Sequence, residues 1–147
     1  MATVSTYLNF ARECEQAFNF YQSVFGGEFF GDGPMRFRDI PPQEGMPPLP
    51  EEDQDLILHI ELKITAGYSL MGSDAPESMG LDVTHGNGVH INLQTDTREE
   101  SDRLFKALSE GGVVTMPMAE QFWGDYFGSF ADKFGVHWMI NCSEKAN

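Results

Sequence analysis

The sequence predicts an α+β protein built from two copies of a βαβββ unit. Three observations carry that expectation. Glu13 to Phe25 places Cys14, Ala17, Phe18, Tyr21, Val24 and Phe25 on one helical stripe, and a second stripe follows with Leu104, Phe105, Ala107 and Leu108. Each stripe ends in Gly-Gly, at 26–27 and 111–112, where left-handed dihedrals stop a helix cheaply. Around each helix lie short segments in which apolar and polar residues alternate, so that strand, helix, Gly-Gly and further strands occur twice in the same order.

The elements follow in turn. Val4 to Phe10 reads as a strand, Glu13 to Phe25 as its helix, and Glu28 to Phe30 as the start of a second strand. Gly31 to Asp55 holds six of the eight prolines and an acidic run from Glu51 to Asp55. Proline removes backbone donors, so this stretch is expected outside any sheet interior, as a mobile loop broken by a short strand around Met35 to Arg38. It serves either as a solvated connector or as a lid. Leu56 to Ile64 alternates, with Leu58, Ile60, Leu62 and Ile64 on one face and His59, Glu61 and Lys63 on the other. Ala66-Gly67 turns the chain into Tyr68 to Met71.

A Gly- and Ser-rich connector then leads to Val89 to Gln94, a strand with His90, Asn92 and Gln94 on one face. Thr97 with Glu100 three residues on has the form of a capping box for the second helix. Strands are expected at Val113 to Met116, Asp125 to Asp132 and Val136 to Cys142. The domain organisation is thus one domain over 1–147, with modules at about 1–74 and 88–143, a 75–87 connector and a proline-rich loop at 31–55. The two halves align as Tyr7-Leu8-Asn9-Phe10 with His90-Ile91-Asn92-Leu93, and Gly67 to Met71 with Gly135 to Met139.

Composition narrows the function classes. The 147 residues are 41% hydrophobic and 12% aromatic, enough for a packed interior. With 9 Lys+Arg against 23 Asp+Glu the net charge is −14, which excludes a nucleic-acid groove and an anionic membrane surface as partners. No apolar run is long enough to span a bilayer, and the start lacks a secretion signal, so a cytoplasmic location is expected. Cys14 and Cys142 lack a CxxC spacing and read as reduced packing thiols, with a disulfide as the alternative.

The strand faces turned away from the helices carry Tyr7, Asn9, His59, Glu61, Ser69, Met71, His90, Asn92, His137, Met139 and Asn141. An ordinary wet face would be mostly Lys, Glu, Thr and Gln. A mixture of aromatics, Met, His and amides suits a half-apolar cavity with a few aimed polar groups, the competing reading being a solvated sheet face.

These features resemble the vicinal-oxygen-chelate superfamily of glyoxalases, bleomycin-resistance proteins and dioxygenases, and within it the PhnB-like branch. The residues that carry the likeness are Tyr7 to Phe10, Ala17 to Tyr21 with Phe25-Gly26-Gly27, and Leu70 to Asp74. Gln121-Phe122-Trp123-Gly124 with Tyr126-Phe127-Gly128, and Asp132 to Asn141, complete the set. The resemblance implies an incomplete barrel around a cavity, formed by paired βαβββ modules, and a homodimer. Some members bear a ubiquinone-methyltransferase name, but this chain has no Gly-rich nucleotide loop.

Metal-dependent relatives place His or Glu ligands on the first and last strand of each module. The positions carried over here are Tyr7 (Thr6 if the register slips by one), Met71, His90 and Met139, of which only His90 is a usual ligand. Thioether sulfur suits hard or borderline ions poorly, so no cofactor is expected at that site. A displaced zinc or iron set of His59, Glu61 and His90, with His137 in reach, is the alternative. His59 and Glu61 are also the candidate acid/base pair, provided burial moves their pKa values toward neutrality. Ligand contacts are expected from Tyr7, Asn9, Met71, His90, Asn92, Trp123, Tyr126, His137 and Met139, with Trp123 and Tyr126 either stacking on a planar molecule or plugging the core. The resulting expectation is a small-molecule-binding protein without the usual metal ligands, its ligand unknown. The alternatives are a lyase, isomerase or oxygenase with a relocated metal, and a domain that mainly dimerises.

Overall fold

A computed structural model describes residues 1–45 and 47–146. The chain divides into two compact units, Met1–Val83 and Thr84–Asn147. The first runs β1 (Thr6–Phe10), α1 (Cys14–Phe25), β2 (Met35–Arg36), β3 (Ile57–Lys63) and β4 (Ser69–Asp74). The second repeats the order as β5 (Ile91–Thr95), α2 (Arg98–Ser109), β6 (Val113–Glu120), β7 (Tyr126–Ala131) and β8 (His137–Cys142). Each unit forms a four-stranded mixed sheet, ordered β1-β4-β3-β2 and β5-β8-β7-β6, with the first and last strands parallel.

Alternation explains the layers. In the first unit Phe10, Ile60, Leu62 and Leu70 are buried with Phe18 and Tyr21 of α1. In the second, Leu93, Phe130, Trp138 and Ile140 are buried with Leu104 and Leu108 of α2. Gly72 lets the first helix approach β4: a Cβ there would lie 2.6 Å from Phe18 Cε1. Gly128 does the same for the second, where a Cβ would lie 2.9 Å from Phe105 Cε2. Thr97 accepts from the Glu100 N–H at 3.1 Å, which is the Thr97 half of the expected capping box.

Four details differ from the sequence expectation. The region at Glu28 to Phe30 reduces to a single bridge, Phe29 with Leu62. The short strand near Met35 stops at Arg36 and turns into one 3-10 turn, Phe37–Asp39. β6 continues to Glu120 past Pro117, because an outermost strand tolerates a missing donor and its register shifts on both sides of Met116.

The fourth detail changes the alignment of the halves. Tyr7 stands opposite Met71, whereas Met139 stands opposite Asn92. The partner of Tyr7 in the repeat is therefore Asn92, and His90 corresponds to Ser5. A slip of two residues keeps every side chain on its face, so alternation alone could not reveal it.

Cys14 and Cys142 are buried free thiols, and burial pushes Cys14 far above the usual thiol range. Among the described residues no helix is long and apolar enough to cross a membrane.

Candidate functional site

In the first unit the helix-free face is centred on β4. Tyr7 is opposite Met71, which is opposite Glu61. Tyr7 Oη lies 3.4 Å from His59 Nδ1 with the rings 5.8 Å apart, so the two reach toward each other across β4. Ser73 donates to Asn9 Oδ1 at 3.3 Å beside them. Tyr7 is 47% exposed and Met71 and His59 are half-buried, so the face offers aromatic, thioether and polar surface together.

Glu61 has a different part from the one expected. Its Oε2 accepts from Ser69 Oγ at 2.6 Å and lies 3.1 Å from Lys63 Nζ. Those hydrogen bonds outweigh its partial burial and hold the carboxyl below the ordinary glutamate range. A base poised near neutrality needs the opposite shift, so the placement does not support a His59–Glu61 acid/base pair.

In the second unit His90 and His137 meet edge to face, ring centroids 5.1 Å apart. His137 Nδ1 is buried and has no hydrogen-bond partner among the described residues. Asn92 and Met139 are cross-strand neighbours on the same face, and Asn141 donates to Gln94 Oε1 and Asp125 Oδ2. Trp123 is half exposed and stands 6.1 Å from Phe127, with the fully exposed Phe122 at 5.1 Å.

Tyr126 belongs to the opposite face. Its hydroxyl donates to Asp102 of α2 at 2.6 Å and Arg98 lies 4.7 Å over its ring. It ties β7 to α2 rather than joining Trp123 and Phe127, since residues one apart on a strand point to opposite sides.

The ligand types expected at the carried-over metal positions are mostly absent. With the corrected register the first-strand positions are Ser5 and His90, or Tyr7 and Asn92, against Met71 and Met139; neither choice includes a carboxylate. Among the described residues no group of three or more His, Cys, Asp or Glu is placed to hold a metal ion. Hard or borderline divalent ions therefore do not fit these positions.

Sequence reading missed a polar cluster in the first unit. Asp53, in the acidic run of the segment expected as a connector or a lid, is 1% exposed and accepts from Arg12 Nη1 and Ser78 Oγ, both at 2.6 Å. Arg12 also reaches Glu77 at 3.0 Å, and Arg36 pairs with Glu15 and the Asp55 carbonyl. A cleft of about 220 Å³ lies beside them, lined by Arg12, Gln16, Arg36, Glu52 and Leu56 among others. The proline-rich segment is thus anchored at its acidic end.

Two βαβββ units with parallel outer pairings are the mark of one protein class. The chain belongs to the Glyoxalase/Bleomycin resistance protein/Dioxygenase superfamily, whose profile matches residues 4–140. Among relatives, Protein YjdN of Escherichia coli (strain K12) is 35% identical over 143 residues, covering 94% of this chain and 93% of its own. The crystal structure of protein PA1353 from Pseudomonas aeruginosa is similar with a TM-score of 0.81 at 36% identity, covering 99% of this chain and 100% of that one. A PhnB protein from Bacillus cereus shares the fold, with a TM-score of 0.76 at 24% identity over 96% of this chain and 99% of its own.

Proposed function

We propose that the protein binds a small organic molecule on the helix-free faces of its modules, without the hard-metal chemistry of the superfamily's enzymes. The observation that carries this reading is the Tyr7–His59–Met71–Asn9 surface. Aromatic, thioether and hydrogen-bonding groups stand together there, with Met71 at a position where metal-dependent relatives carry a ligand. Such a surface can stack a flat apolar body and orient it by a few polar contacts. Trp123 and Phe127 add a second stacking surface in the other module. A small-molecule partner, no organic cofactor or hard metal ion, and a homodimer in the cytoplasm complete the proposal.

The test is a thermal-shift screen of the full chain with a broad library of small organic compounds. A compound that stabilises the protein, and loses its effect in Tyr7→Ala or Trp123→Ala, supports the reading. Absence of any stabilising compound counts against it. Elemental analysis of the purified protein decides the enzyme alternative: one zinc or iron per chain that disappears in His59→Ala would replace this proposal with the displaced metal site. Sedimentation as a monomer at micromolar concentration would remove the dimer.

A further inference from the structure

We infer that the second module carries a site for a soft transition-metal ion, Cu⁺ above all, held by the imidazoles of His90 and His137 with the thioether of Met139. Three observations lead there. The strand register sets His90, the residue before β5, beside His137 on β8, and their rings lie 5.1 Å apart. That separation is compatible with two ring nitrogens turning to one ion. His137 Nδ1 is shut off from solvent yet has no partner among the described residues, and a buried nitrogen in that state calls for an occupant. Met139 lies two residues further along β8 on the same face, about 6.8 Å away along the strand and within reach of an unbranched side chain.

The chemistry of the donors chooses the ion. The nearby carboxylates are committed elsewhere: Asp132 accepts from the Phe134 and Val136 N–H groups and from Trp138 Nε1, and Asp125 accepts from Asn141. What remains is imidazole nitrogen and thioether sulfur, a set that suits Cu⁺ and disfavours Mg²⁺, Mn²⁺ and other oxygen-seeking ions. The hard-ligand pattern of the superfamily is thus replaced by a soft one, and the chain's charge of −14 favours the approach of any cation. The site shares the helix-free face of the second module with the small-molecule reading but rests on its own donors, so either can fail without the other.

The experiment is an anaerobic titration of the reduced full chain with Cu⁺ against a chromogenic Cu⁺ chelator, with Ag⁺ and Zn²⁺ in parallel. One Cu⁺ per chain is expected, with Ag⁺ competing and Zn²⁺ excluded. His90→Ala and His137→Ala should each weaken uptake by about tenfold or more, and Met139→Leu by less. In the unmutated protein, Ag⁺ should shift the imidazole proton resonances of His90 and His137. That measurement keeps the test valid if a variant fails to fold. Unmoved His90 and His137 resonances overturn the inference, the rings then being only an edge-to-face pair. Full uptake by the double variant overturns it too, as does a thiolate-to-copper absorption band that assigns the ion to Cys14 or Cys142.

Discussion

Asp74, the last residue of β4, holds the first module together by an arrangement that can be tested directly. Its Oδ1 accepts from the Cys14 N–H at 3.0 Å and its Oδ2 from the Ile57 N–H at 2.9 Å. One carboxylate therefore caps α1, which has no side-chain cap of its own, and fixes the start of β3. Asp74→Ala strands two N–H donors at residues that are 0% exposed. Each stranded donor costs about 1–3 kcal/mol, and relief of the buried carboxylate returns part of it, leaving a net loss of about 2–4 kcal/mol. For a chain of this size that corresponds to a fall in Tm of roughly 5–15 °C. Asp74→Asn keeps one acceptor and should lose less.

The pH dependence has a definite sign. Burial raises the Asp74 pKa above its ordinary value, despite the two N–H donors. Its contribution is then fully present below the unfolded pKa and declines as pH rises through the folded one. The deficit of Asp74→Ala should be larger at mildly acid pH than at pH 7. Thermal and urea unfolding followed by circular dichroism, at both pH values, measure it. A Tm within about 2 °C of the unmutated protein, or a deficit that grows toward neutral pH, would refute the reasoning.

Two further predictions concern the other carboxylates. Glu61 should titrate below the ordinary glutamate range, so its stabilisation is present above the unfolded pKa and lost as pH falls through the folded one; a ¹³C carboxyl midpoint at or above the ordinary value contradicts this. Asp53→Asn should loosen the anchored end of the proline-rich segment and speed amide hydrogen exchange at Gln54 and Leu56, whose N–H groups bond within that turn; unchanged exchange there would show that Arg12 and Ser78 do not hold it.

The legible part of this chain was whatever depends on short-range periodicity. The alternation from Leu58 to Ile64, the stripe from Cys14 to Phe25 and the Thr97 cap all appear where expected. What stayed hidden depends on partners far along the chain. Asp53 looks like any member of an acidic run until Arg12, 41 residues away, is brought beside it. Glu61 and Lys63 both point to the helix-free face, but Ser69 arrives only with the return strand. The repeat register was misread because Tyr7-Leu8-Asn9 and His90-Ile91-Asn92 match in pattern while differing by two positions on the ladder. Of the candidate site residues, Tyr126 lay on a run of aromatics whose alternate members face opposite sides, which composition does not disclose.

The outermost strand β6 has a practical consequence for handling this protein. From Val113 to Ala119 it bears no charge, and Val113, Val114 and Met116 are exposed in a chain that is otherwise strongly anionic. At low salt, mutual repulsion keeps separate molecules from templating on one another there; added salt screens that protection while leaving the apolar stretch as sticky as before. Pro117 and the irregular spacing around Met116 then become the remaining guard, interrupting any extended pairing after a few residues.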